Sequence, residues 1–172
     1  MPQIGIVMGS DRDLPHMEKA ARFLRNLDIP FEMTALSAYR CPDRVREYGL
    51  SALGRGFEVV IAASGGTNEL ACLIASYTTL PVIGVPLRTD EGEASVSREL
   101  AALLSTLETP AGIPVATVGF NAVINAACLA VQILGVKDKR VRARLEEYRE
   151  SRRAEETEKA RRVEEAAREH HV

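Results

Sequence analysis

The chain has 172 residues, 46% of them hydrophobic and 27% charged, with a formal net charge of -2. That is enough for one domain with a substantial core and an ordinary globular composition. The near-neutral balance excludes a general attraction to nucleic acid or to an anionic membrane surface. Met1-Pro2-Gln3 leads straight into a strand-like run, so no signal peptide is expected, and no apolar stretch approaches membrane-spanning length. Cys41, Cys72 and Cys128 are odd in number and far apart, with no metal-ligand spacing. A reducing cytoplasm is the expected location.

Ile4 to Met8 is a short apolar run that ends in Gly9-Ser10-Asp11. A continuous apolar run bounded by turn residues reads as a strand buried on both faces. Pro15 suits the first turn of a helix, whose apolar face is marked by Met17, Ala20, Ala21, Leu24 and Leu27. A second strand covers Phe31 to Leu36, and a helix runs from Val45 to Gly54. A third strand spans Val59 to Ala63, and Glu69 to Tyr77 is helical. A fourth strand is expected over Leu80 to Val85, with Pro86 at its end. Thr89 to Ser97 is polar and acidic, and reads as a loop that either covers the neighbouring crevice or is plain surface. Leu100 to Leu107 is a helix, Pro114 to Val118 a fifth strand, and Asn121 to Leu134 a long alanine-rich helix.

Strands alternating with helices predict an α/β domain over residues 1–136, a three-layer doubly wound parallel sheet. Residues 137–172 form a charged helical extension. Val141, Leu145 and Tyr148 give its first half an apolar stripe for packing, and the second half is expected to be solvated or frayed.

In doubly wound sheets the ligand lies beyond the carboxyl ends of the strands. Three polar loops should therefore share one crevice: Gly9 to Asp13, Ser37 to Arg44 and Ser64 to Asn68. A Ser and an Arg where a strand gives way to a helix, as at Ser37 and Arg40, suit an anion, because hydroxyl, guanidinium and free helix N–H groups all donate. Gly65-Gly66 permits close backbone approach. Asp11 and Asp13 suit ribose hydroxyls or an amine. Cys41 beside Arg40 is either a low-pKa thiol or an inert side chain, and His16 either faces the crevice or is a solvated helix residue.

In order, these blocks resemble the PurE family, the N5-carboxyaminoimidazole ribonucleotide mutases and aminoimidazole ribonucleotide carboxylases of purine biosynthesis. Met8-Gly9-Ser10-Asp11-Arg12-Asp13 is similar to the family's Met-Gly-Ser-Asp-x-Asp. Ser37-Ala38-Tyr39-Arg40-Cys41-Pro42-Asp43-Arg44 is similar to its Ser-Ala-His-Arg-Thr-Pro-Asp-Arg. Ile61 to Leu70, Leu80 to Pro86, Thr109 to Val118 and Asn125 to Leu134 continue the match. The resemblance implies a flavodoxin-like fold, a homo-octamer with sites between subunits, a phosphoribosyl aminoimidazole substrate and no cofactor or metal. Carried over by position, Ser10, Asp13, Ser37 and Arg40 would contact phosphate and ribose, with Ala38 among the substrate-binding residues. Ser64, Gly65 and Leu70 would line the base and carboxylate pocket.

The chain departs from the family where the chemistry occurs. The family's catalytic histidine falls on Tyr39 and its second pocket histidine on Glu69. A base titrating near neutral pH suits removal of the C4 proton. Free tyrosine titrates near ~10 and free glutamate near ~4.3. Glu69 and Tyr39, assisted by Asp13, are the expected acid/base groups. The alternative is a diverged paralogue that binds another phosphorylated nucleotide-like ligand, with altered chemistry or none.

Overall fold

The structure, a computed structural model, describes residues 1, 3–67, 69–88 and 93–169, the side chains of 93–96, 98 and 169 excepted. Five strands form one parallel sheet: β1 (Ile4–Met8), β2 (Phe31–Ala35), β3 (Val59–Gly65), β4 (Val82–Leu87) and β5 (Ala116–Thr117). Their spatial order is β2-β1-β3-β4-β5. The helices are α1 (Leu14–Asn26), α2 (Pro42–Ala52), α3 (Glu69–Tyr77), α4 (Glu93–Leu107), α5 (Val123–Gly135) and α6 (Lys139–Glu169). This is the doubly wound, flavodoxin-like order, whose switch point lies between β1 and β3.

The central strands are apolar because neither face meets water. All five residues of β1 are buried, as are all six of β4 and the first six of β3. Two cores result. One lies under α1, α5 and the start of α6, around Ile6, Leu24, Ile61 and Leu134. The other lies under α2 and α3, around Val7, Val45, Val60 and Ile74.

The fourth strand sits two residues later than its sequence suggests and runs through Pro86 to Leu87. Proline lacks the N–H that a ladder needs. Here the loss falls on the side facing β5, which pairs only with Ile83 and Gly84 and has ended before Pro86. The Pro86 carbonyl accepts from the Asn121 N–H at 3.0 Å instead. A second difference is α4, which begins at Glu93 rather than Leu100. Residues 93–97 are therefore helical, not loop, while 89–92 lie outside the described residues. The alanine-rich α5 begins at Val123, because Asn121 takes a positive φ of 53° and stops the helix from starting earlier.

The long α6 behaves as two segments. At its start, Asp138 Oδ1 accepts from the Arg140 and Val141 N–H groups at 2.8 and 3.4 Å. Val141 and Leu145 are buried, and the Tyr148 ring meets Phe23 edge-on with centroids 5.0 Å apart. Arg144 donates to the carbonyls of Leu27 and Asp28, both at 3.0 Å, which ties α6 to the end of α1. Residues 151–168 are all exposed and still helical. Pairs such as Lys159–Glu156 at 2.6 Å and Arg161–Glu165 at 2.6 Å run along this part. Oppositely charged pairs at this spacing support an exposed helix. The second half is thus solvated, as expected, but ordered as helix. Among the described residues no helix is long and apolar enough to cross a membrane.

Helix α2 meets α3 closely at Gly49. A methyl group there would sit 2.7 Å from Tyr77 Cβ and 3.3 Å from the Ile74 carbonyl oxygen. Since that carbonyl belongs to helix backbone, the helices themselves must separate to admit it. Gly49→Ala is expected to destabilise the fold by about 1–3 kcal/mol, despite alanine's better helix propensity. Urea unfolding of the variant beside the parent protein measures this, and an unchanged or raised midpoint would contradict the close contact.

Candidate functional site

Because β1 pairs with both β2 and β3, with Met8 opposite Ala35 and Ala63, three loops leave the sheet side by side. Together with the end of β4 they line a crevice of about 850 Å³. All ten sequence-nominated site residues lie on it: Ser10, Asp13, Ser37, Ala38, Tyr39, Arg40, Ser64, Gly65, Glu69 and Leu70.

The first loop is built around Asp13. The Gly9 N–H donates to the Ala63 carbonyl at 2.9 Å, and a Cβ at Gly9 would stand 3.0 Å from Ser64 Cβ. A side chain there would press the two loops apart by a few tenths of an ångström. Asp13 Oδ2 accepts from the Ser10 N–H at 3.0 Å, while Ser10 Oγ accepts from the Arg12 N–H at 3.3 Å and donates to Asp11 Oδ1 at 3.0 Å. This reciprocal cap turns the chain into α1. Burial pushes the Asp13 carboxyl above its ordinary value; the Ser10 N–H and the charge of His16 oppose the rise, and Asp11 adds to it. His16 lines the crevice one turn further along, so the solvated-helix reading of it is corrected: the start of α1 points its polar face at the crevice.

The second loop is organised by Ser37. Its Oγ accepts from both the backbone N–H and the side-chain Nε–H of Arg40, at 3.2 and 3.3 Å. The guanidinium is thereby tied to the loop through Nε. Cys41 takes the N-cap position of α2 and is not among the residues that line the crevice.

In the third loop, Gly66 adopts a φ of 82°, which a side chain would oppose, and Ser64 Oγ donates to the Thr67 carbonyl at 3.3 Å. The turn delivers Glu69 to the first residue of α3. Leu70, fully buried, forms the apolar floor. The hydroxyls of Tyr39 and Thr67 lie 3.4 Å apart across the two loops. Burial raises the Glu69 carboxyl, but the Thr67 and Tyr39 hydroxyls and its own backbone N–H outweigh this and leave it below the usual carboxylate range. One of its oxygens, Oε2, is buried with no well-aligned partner among the described residues. Tyr39 and Glu69, the expected acid/base pair, thus adjoin each other. Tyr39 itself is 74% exposed, at the rim.

Sequence reasoning missed Arg88, which lines the crevice from the end of β4. The sequence pattern ends the fourth strand at Val85 with Pro86 and starts the next loop at Thr89, so Leu87 and Arg88 fall in neither. Asking which residue ends each parallel strand would have found it.

A raised acid titration predicts a pH signature. With its pKa above the unfolded value, Asp13 contributes stability that is fully present below the unfolded pKa and is lost as pH rises through the folded one. Asp13→Asn keeps an oxygen for the Ser10 N–H and abolishes the titration. Melting temperatures of parent and variant, measured from pH 3 upward, are expected to converge in acid and to separate in favour of the variant as the parent's carboxyl ionises. A constant difference across the range would contradict the assignment.

The chain matches the family model for AIR carboxylase over residues 3–155. It is 45% identical over 150 residues to the N5-carboxyaminoimidazole ribonucleotide mutase of Pyrococcus abyssi, covering 87% of this chain and 83% of that one. The mutase of Thermotoga maritima is 47% identical over 150 residues, covering 87% and 85%. The phosphoribosylaminoimidazole carboxylase of Candida albicans is 44% identical, with 86% of this chain covering 25% of that much longer protein. Among solved structures, Treponema denticola PurE superposes with a TM-score of 0.76 at 27% identity, over 92% of this chain and 96% of that one. With a matching family model over most of its length and relatives above 40% identity, the chain belongs to the AIR carboxylase, or PurE, family.

Proposed function

We propose that this chain rearranges the carboxylate of an aminoimidazole ribonucleotide, moving it from N5 to C4 or adding CO2 at C4. The observation that carries this reading is the polarity of the crevice. Its β1–β2 side presents Ser10, Ser37 and Arg40, hydroxyl and guanidinium donors suited to a phosphate. Its β3 side presents an ionised Glu69 with the Tyr39 and Thr67 hydroxyls beside it. The relatives' names supply the reaction class, and favour it over a binding-only paralogue.

In the N5-to-C4 direction the N5–C bond breaks first and CO2 is released into the crevice. The electron pair left on N5 conjugates through the ring and drives C4 onto the trapped CO2. C4 then carries both the carboxylate and its original hydrogen. Glu69 removes that proton and restores the aromatic ring, while N5 receives one proton, so the isomerisation balances without an external redox partner. Tyr39 links Glu69 to solvent at the rim and passes the proton on. Asp13 holds Ser10 and the start of α1 in place against the ribose. No cofactor or metal is part of this scheme.

The assembly we infer is a homo-octamer in the cytoplasm. Its support here is an exposed apolar stripe, Leu100, Leu104 and Leu107 on α4, at the i, i+4, i+7 spacing of a docking face. Sedimentation velocity should give one species of eight 18.8 kDa chains, and a monomer would overturn it.

Turnover of N5-carboxyaminoimidazole ribonucleotide tests the activity. Glu69→Gln is expected to lower kcat by about 10²–10⁴-fold, the usual loss on removing a general base. Tyr39→Phe should lower kcat by about tenfold, and Arg40→Met should act mainly by raising KM. Parent protein that interconverts neither ribonucleotide, with or without added bicarbonate, would overturn the reading.

A further inference from the structure

Arg88 stands apart from the donors already assigned. It is the first residue beyond β4, on the opposite rim from Arg40. Three neighbours fix it. Its Nε lies 3.2 Å from Glu99 Oε2 on α4. Its guanidinium carbon sits 5.3 Å from the centroid of the Phe120 ring. Its backbone N–H donates to Asn121 Oδ1 at 3.0 Å. The ion pair occupies Nε, and the terminal guanidinium nitrogens make no hydrogen bond among the described residues. A planar fork stacked on an aromatic face loses less freedom when it binds a carboxylate than a free arginine does.

The strand order sets its distance from the phosphate side. From the end of β2, whose following loop carries Arg40, to the end of β4 is three strand spacings, about 14 Å. Arg40 and Arg88 thus line the same crevice from loops on either side of β1 and β3. That span matches an extended ligand with an anion at each end. Resting on the activity proposed above, we infer that Arg88 is a specificity residue that recognises the ring carboxylate, while Arg40 recognises the phosphate. The pair then selects the carboxylated over the uncarboxylated aminoimidazole ribonucleotide, and Glu99 positions Arg88 for the task.

Dissociation constants by calorimetry, for the C4-carboxylated and the uncarboxylated ribonucleotide, test this directly. Arg88→Met, which keeps an apolar contact with Phe120, is expected to weaken the carboxylated ligand tenfold or more and to change the uncarboxylated one less than threefold. Arg40→Met is expected to weaken both. Should Arg88→Met fail to fold, Arg88→Lys reads the same discrimination at a few-fold amplitude. A variant that loses both ligands equally, or neither, overturns the role of Arg88 and leaves the activity intact. Parent protein that binds neither ribonucleotide overturns the activity and this inference together.

Discussion

The whole arrangement depends on the registered pairing of β1 with both its neighbours. Met8 lies opposite Ala35 on one side and Ala63 on the other. Three chains therefore leave the sheet at nearly the same height, about 4.8 Å apart. Nothing else in the molecule could bring Ser10, Ser37 and Ser64 together, since they are separated by 27 residues or more along the chain. The pairing is possible because β1 and β3 are apolar on both faces and are covered by helices on both. Burial of the sheet and formation of the crevice are one event.

Within the crevice, two kinds of contact hold the side chains. On the β1–β2 side the contacts are local. Ser37 fastens Arg40 three residues on, and Asp13 fastens Ser10 three residues back. Such donors are ordered before any ligand arrives, so little conformational freedom remains to be lost on binding. On the β3 side the contact spans loops, with Tyr39 reaching Thr67 across 28 residues of sequence. Tyr39 and Glu69 work as a pair, because the tyrosine and threonine hydroxyls favour the ionised Glu69 carboxylate against the opposing effect of burial.

The same contrast separates the halves of α6. Its first turns are held by tertiary contacts with α1 and α5, including two backbone carbonyls capped by Arg144. Its second half has no such support, and relies on pairs three and four residues apart. Helix propensity and local charge order carry it where the core does not reach.

The sequence by itself determined the strands buried on both faces, the α/β alternation, and the loops that end in Ser, Gly and Asp. Each of these is written in neighbouring residues, through apolar runs, caps and turn chemistry. Ser37 with Arg40 was legible for the same reason, as was the absence of imidazole at Tyr39 and Glu69. Only the tertiary structure decided what depends on partners distant in sequence. Pro86 belongs to β4 because β5 stops short of it and Asn121 takes its carbonyl. His16 faces the crevice because α1 packs its apolar side on the sheet. Arg88 becomes a fixed guanidinium because α4 and the loop before α5 place Glu99, Phe120 and Asn121 around it. A local pattern reports what a residue prefers, and the assembled sheet sets what it meets.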